Sequence, residues 1–114
     1  MILGGDIGGT KTLLALADEG GIVHERRFPS RDWGDFSALL RAFLDDAGCA
    51  ADIAAACFGV AGPVLDERAR LTYLPWTVDG PALARFFGID RVRVGNDFAA
   101  AAQGVAALPP EPLA

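Results

Sequence analysis

The stretch Met1-Ile2-Leu3-Gly4-Gly5-Asp6-Ile7-Gly8-Gly9-Thr10-Lys11-Thr12-Leu13-Leu14-Ala15-Leu16-Ala17 decides how the rest of the chain is read. A short apolar run enters Gly8-Gly9-Thr10. A second apolar run leaves it and stops at the turn signal Asp18-Glu19-Gly20-Gly21. Ile22 to Phe28 follows as a more polar strand that ends before Pro29. Three strands joined by two short glycine-bearing turns predict an antiparallel meander.

Beyond the meander the period changes. Phe36, Leu39, Leu40, Phe43, Leu44 and Ala47 fall on one face of a helix, with Asp35 placed to cap its start and Gly48 its end. Ile53 to Val60 is a continuous run of small and apolar residues and reads as a buried strand; its three alanines keep a helix open as the alternative. A loop or hairpin is expected from Val64 to Trp76. A second helix begins near Asp79-Gly80-Pro81, shows the apolar stripe Leu83, Phe86 and Phe87, and closes at Gly88. Arg91 to Val94 is a short strand. A third helix is expected from Asn96-Asp97 through Phe98, Ala101, Ala102 and Val105, ending before Pro109-Pro110. Phe36, Phe43, Phe86 and Phe87 are all expected in the core.

The order β-β-β-α-β-α-β-α predicts an α/β fold: a mixed five-stranded sheet with helices on its faces. Residues 1–108 would form one lobe, and 109–114 a linker or a truncated end. Right-handed crossovers set the fourth and fifth strands parallel to the first. Ligands gather at the carboxyl ends of parallel strands in such sheets. Asp6 and the pair Asn96-Asp97 are therefore expected at the same edge, although they are distant in sequence.

The 114 residues carry 10 basic and 15 acidic side chains, for a formal charge of −5. A composition of 52% hydrophobic and 22% charged residues argues against disorder. The acidic balance argues against nucleic-acid and anionic-membrane partners, since the longest basic cluster is Arg26-Arg27. Cys49 and Cys57 lack metal-binding spacing, and His24 is the one histidine, so two reduced, buried thiols are expected. His24 itself lies on the polar third strand and is expected to face solvent. Ala50 to Val60 is too short and too interrupted to span a bilayer. No charged segment precedes an apolar one at the start, as a signal peptide would require. A cytoplasmic protein is expected.

Several segments carry possible chemistry. In Asp6-Ile7-Gly8-Gly9-Thr10-Lys11-Thr12, adjacent glycines let the backbone approach an anion, Thr10 adds a hydroxyl donor and Lys11 a cation. Asp6 could hold a water of a phosphate-bound Mg²⁺. The spacing is neither that of a Walker A loop nor that of a dinucleotide fingerprint. The plainer reading is a hairpin with a Gly-Gly turn. Asn96-Asp97 at a strand-to-helix junction reads as an N-cap. It reads equally as a general base, Asp97, beside a hydroxyl-binding Asn96. Gly59-Val60-Ala61-Gly62-Pro63-Val64 allows close backbone approach to a ligand, or is a turn fixed by Pro63. In Leu74-Pro75-Trp76 the indole either flanks a sugar or plugs the core.

Taken together, the segments Gly5–Lys11, Gly59–Val64, Leu71–Trp76 and Gly95–Ala100 resemble the amino-terminal lobe of bacterial glucokinases, in the family's order. The resemblance covers residues 2 to 108. It implies the ribonuclease-H-like lobe of the hexokinase–actin type and ATP-dependent transfer of a phosphoryl group to the 6-hydroxyl of glucose or a similar hexose. By the same resemblance, Asp6, Gly8, Gly9, Thr10 and Lys11 would contact ATP, with Mg²⁺ near Asp6. Asp97 would be the catalytic base. Asn96, Asp97, Gly62, Pro63 and Trp76 would bind the sugar.

The sequence departs from that pattern in places. Lys11 stands where the family often has Asn, as in the related repressor–open-reading-frame–kinase (ROK) group, and Tyr73 stands where bacterial glucokinases carry Asn. The family's larger second lobe, with the second phosphate loop and the adenosine pocket, lies beyond these residues. The 114 residues alone are therefore expected to be inactive and to show an apolar patch that favours a homodimer. A non-catalytic sugar- or nucleotide-binding module, a ROK-type lobe and a purely structural lobe are the competing expectations.

Overall fold

The first strand, β1 (Ile2–Ile7), lies at the centre of a five-stranded sheet with the order β3-β2-β1-β4-β8. The computed structural model describes residues 1–48, 53–71 and 74–96. β2 (Lys11–Asp18) and β3 (Gly21–Pro29) complete the expected antiparallel meander. β4 (Ala55–Val60) pairs in parallel with β1, and β8 (Arg91–Gly95) pairs in parallel with β4. All six residues of β4 are buried, so the run with three alanines is a strand. A strand flanked on both sides loses its polar face, which is why this segment shows no alternation.

The long connection from β4 to β8, where a loop or hairpin is expected from Val64 to Trp76, contains a hairpin and one further strand. It folds into a small second sheet of β5 (Val64–Leu65), β6 (Arg68–Arg70) and β7 (Thr77–Asp79). The β5–β6 turn is Asp66-Glu67, with φ of 54° and 62°. Two left-handed residues match the twist of a tight hairpin, but without Gly or Asn the usual signal is missing. Each such residue costs about 1–2 kcal/mol, so contacts around the turn must hold it.

Helix α1 (Phe36–Ala47) begins and ends where its residues dictate. The Asp35 carboxylate accepts the Ala38 N–H at 2.8 Å, and Gly48 closes the helix with φ 72°. Helix α2 (Gly80–Phe87) repeats the scheme: Asp79 accepts from the Ala82 N–H at 3.0 Å, Pro81 sits in the first turn and Gly88 closes with φ 69°. α1 buries Phe36, Leu39, Leu40, Phe43 and Leu44 against the face of the sheet that carries Leu3, Ile7, Leu14, Leu16 and Phe58. Phe36 meets Phe58 edge-on at 5.1 Å, and Phe28 meets Phe43 at 6.2 Å.

Both described helices lie on this one face. The crossovers from β1 to β4 and from β4 to β8 step in the same direction, so crossovers of one hand put their helices on the same side. The third helix expected from Asn96 onward, apart from Asn96 itself, falls outside the described residues, as do Cys49, Thr72, Tyr73 and Asp97.

Two expectations about single residues are corrected. Phe86 is 59% exposed rather than core; the Arg41 guanidinium stacks on its ring at 4.9 Å instead. Leu83 is buried and Phe87 is partly buried against the core, while Phe86 falls on the outer side of this two-turn helix. His24 is half-buried rather than free in solvent. Its ring lies 5.1 Å from that of Phe43 and its Nε2 is 3.1 Å from Asp46, which also pairs with Arg26. Cys57 is a buried free thiol, as expected, and burial pushes its pKa up, away from thiolate chemistry.

The turn from β1 into β2 is held from beneath. Ser30, in the short 3-10 turn after β3, is fully buried. Its hydroxyl donates to the Gly8 carbonyl at 2.7 Å and its N–H to the Thr10 carbonyl at 3.0 Å. Since the Ser30 proton is used on Gly8, the buried Thr12 hydroxyl donates to the Ser30 oxygen, at 2.8 Å. Gly8 closes the turn by donating to the Lys11 carbonyl; a Cβ there would lie 2.9 Å from that oxygen.

Two outcomes follow from these contacts. Ser30→Ala leaves the buried Thr12 hydroxyl and Gly8 carbonyl without their partner and should cost about 1–3 kcal/mol, read from urea unfolding. Asp79→Ala removes the α2 cap and should cost about 1 kcal/mol near neutral pH. The Ala82 N–H, followed by Arg68 and Arg85, holds the Asp79 carboxyl below its ordinary pKa. A carboxyl lowered by folding stabilises above its unfolded pKa of about 3.9 and ceases to do so as pH falls through the lowered value. The deficit of Asp79→Ala relative to wild type should therefore shrink as unfolding is repeated from about pH 7 down to about pH 2.

Candidate functional site

The parallel strands β1, β4 and β8 end flush. Asp6 registers with Gly59 and Ile7 with Val60, while Gly59 registers with Gly95. The backbones of Asp6 and Gly95 are thus two strand spacings apart, about 10 Å. Three connecting segments leave this one edge: Gly8–Thr10 from β1, Ala61–Pro63 from β4 and Asn96 from β8. The convergence expected from topology is present, and it brings Asp6 and Asn96 to the same edge.

The Gly8–Thr10 turn has the form an anion needs. Thr10 and Lys11 are exposed, and Gly8 and Gly9 are partly exposed. Among the described residues, the N–H groups of Gly9 and Thr10 have no protein acceptor. Their carbonyl neighbours Gly8 and Thr10 are tied down by Ser30, so the turn is braced with its donors free. Ser30 and Thr12 escaped the sequence reading; a buried Ser in a short turn after a strand carries no local signal, and its role depends on a contact across 22 residues.

Asp6 points to the outward face of the sheet and is exposed. The row across that face is Leu13, Asp6, Gly59, Gly95, so the two strands beside Asp6 on the β4 side present bare backbone. The carboxylate stands over a glycine floor that another molecule can approach closely. Further from the edge the same face carries Gly4, Ala15, Ile22 and Glu25, which with Asp6 line a shallow cavity of about 240 Å³. Ile2 and Ile22 are 47% and 62% exposed there.

Gly62 is half-buried and Pro63 exposed, immediately beyond β4 and beside the edge. Asn96 is exposed just past β8. Trp76 is not at the surface. It is fully buried, its indole N–H donates to the Trp33 carbonyl at 3.1 Å, and its ring packs 5.9 Å from that of Phe36. Of the two readings open for this residue, the core plug is correct and the sugar-flanking wall is not. An indole with its single donor satisfied and no exposed area has nothing left to offer a ligand.

Among the described residues no helix is long and apolar enough to cross a membrane. The family model for glucokinase matches residues 3–114. A glucokinase from Trichormus variabilis is 36% identical over 118 aligned residues, covering 99% of this chain and 34% of that protein. One from Synechocystis sp. is 38% identical, covering 97% and 35%. The crystal structure of a glucokinase from an Antarctic psychrotroph superposes with a TM-score of 0.75 at 30% identity, over 97% of this chain and 36% of that one. A ROK family glucokinase from Streptomyces griseus, solved with glucose and AMPPNP, gives a TM-score of 0.61 at 26% identity, over 83% and 32%. The chain thus spans about a third of the length of the curated relatives it matches. With the five-stranded mixed sheet and its flush parallel ends, these likenesses place the chain in the glucokinase family, as the amino-terminal lobe of that fold.

Proposed function

We propose that these residues supply the sugar-facing and first phosphate-binding half of an ATP-dependent glucokinase. The observation that supports this most directly is the shared edge, where a braced turn with free N–H donors and Asn96 meet across β1, β4 and β8. The Gly8–Thr10 turn, with Lys11, would bind the nucleotide phosphates. Asn96 would hold a sugar hydroxyl, with Gly62 and Pro63 forming the adjoining wall. Asp97, next in the chain, would accept the proton of the 6-hydroxyl as its oxygen attacks the terminal phosphorus of ATP. In phosphoryl transfer, positioning and charge stabilisation supply most of the rate, so one carboxylate beside the nucleophile suffices for proton removal.

Mg²⁺ fits the edge in a limited way. The exposed Asp6 carboxylate lies at the end of β1 beside the phosphate turn, so it would hold a water of an ion that arrives with the nucleotide. Among the described residues no group of three or more His, Cys, Asp or Glu side chains converges into a cage of its own. The ion would neutralise phosphate charge, while the chain's own residues bind, orient and accept the proton.

The remaining donors, including a second phosphate loop and the adenosine pocket, would come from the second lobe. The 114 residues alone are accordingly expected not to turn over, and the exposed Ile2–Ile22 face to favour self-association. A cytoplasmic enzyme acting on glucose or a similar hexose is the reading that fits these features.

The test is formation of glucose 6-phosphate from glucose and ATP by the intact protein. Asp97→Asn should lower kcat by about 10²–10⁴-fold, and kcat/KM for glucose by at least as much. A fully active Asp97→Asn protein would overturn the assignment of the base. Glucose binding without any phosphoryl transfer by wild type would favour the non-catalytic module instead.

A further inference from the structure

Glu67 occupies the second position of the tight β5–β6 turn with φ 62°, a conformation that a long side chain adopts only when its surroundings hold it. Three contacts do so. Its carboxylate oxygen accepts the N–H of Val94 at 2.7 Å. The same oxygen lies 3.6 Å from the Arg93 Nε. Its backbone carbonyl accepts the N–H of Gly80, at the start of α2, at 2.9 Å; a Cβ on residue 80 would lie 2.9 Å from that oxygen, so the approach requires glycine.

These contacts sit at a particular place. β8 is the edge strand of the described sheet, and its far side has no neighbouring strand to pair with. Among the described residues, Glu67 is the acceptor of the outward Val94 N–H. Glu67 replaces the missing ladder at one point, two residues before Asn96. An edge strand held on one side only is free to twist at its end. The carboxylate removes that freedom where β8 delivers its last residues to the ligand edge. The hairpin, α2 and β8 are thereby joined through one side chain.

We infer that Glu67 is a positioning residue for the sugar site: by holding the Val94 N–H at the outer edge of β8, it sets the direction in which Asn96 meets the sugar. The inference rests on the sugar-kinase reading above for its consequence, but its structural core can be read without any ligand. Glu67 touches no reacting atom in this scheme and acts through β8.

The test uses the intact protein with Glu67→Gly and Glu67→Gln. Glycine takes φ 62° without strain, so Glu67→Gly should remain folded while losing the acceptor. Glutamine keeps a carbonyl oxygen in reach of Val94. In ligand-free protein, the Val94 amide should exchange with deuterium at least about tenfold faster in Glu67→Gly, as expected for loss of a hydrogen bond to a charged acceptor. The Asn96 amide resonance should move, and Glu67→Gln should restore both. In kinetics, Glu67→Gly should raise the glucose KM by about tenfold while the ATP KM stays near wild type, a split that general destabilisation would not produce.

Unchanged Val94 exchange and an unmoved Asn96 resonance in Glu67→Gly would overturn the inference. So would faster Val94 exchange with wild-type glucose kinetics, or equal rises in both KM values that Glu67→Gln does not rescue. A wild-type protein with no response to glucose would overturn the sugar-kinase reading and, with it, the role of Glu67 in a sugar site. The ligand-free resonances would still show whether the clamp on β8 exists.

Discussion

The parallel ladder that ties β1 to β4 and β4 to β8 is the constraint on which the rest of this lobe depends. Backbone hydrogen bonding sets Asp6 level with Gly59 and Gly59 level with Gly95, and a shift of even one residue would turn every side chain on a strand to the other face. The burial of Leu3, Ile7, Phe58, Val60 and Val94 on one side therefore locks the register. The same lock brings the Gly8–Thr10 turn, the Gly62-Pro63 segment and Asn96 to a common edge. Core packing and site geometry are thus one problem in this molecule, because the apolar face fixes what the strand ends present.

The edge itself is supported by polar groups placed away from it. Ser30 and Thr12 brace the Gly8–Thr10 turn from the buried side, leaving the turn's N–H groups outward. Glu67 does the comparable job for β8 from the small second sheet. In both cases a group that never reaches the surface of the site settles a backbone direction within it. Buried or half-buried hydrogen bonds suit that role, since leaving their partners unsatisfied is costly and the arrangement has few alternatives.

The lobe also shows how function-like motifs can be structural. Leu74-Pro75-Trp76, read locally, leaves open whether the indole flanks a sugar or plugs the core. In the fold, the indole is fully buried, bonded to the Trp33 carbonyl and packed near Phe36. Trp76 thereby anchors the start of β7, the last strand of the small sheet, to α1, and β7 pairs with the hairpin that carries Glu67. Phe86 went the other way, from expected core to an exposed ring covered by Arg41.

Periodicity, turn residues and caps determined by themselves the meander, both described helices with their Asp and Gly ends and the buried fourth strand, because each of these depends on residues close together in the chain; the five-stranded mixed sheet followed from their order and the handedness of crossovers. The position of Asp6 and Asn96 at one edge was also legible, since handed crossovers leave few topologies to choose from. Only the tertiary structure decided that Trp76 is core, that Phe86 is not, that Ser30 and Thr12 brace the Gly8–Thr10 turn, and that Glu67 holds the outer edge of β8. Each of these rests on partners that the chain brings together from far apart, such as Trp76 with Trp33 or Glu67 with Val94. The hairpin is only one of two expectations for its segment for a related reason: its turn uses Asp66 and Glu67 in left-handed conformations without the usual Gly or Asn, and distant hydrogen bonds help hold Glu67.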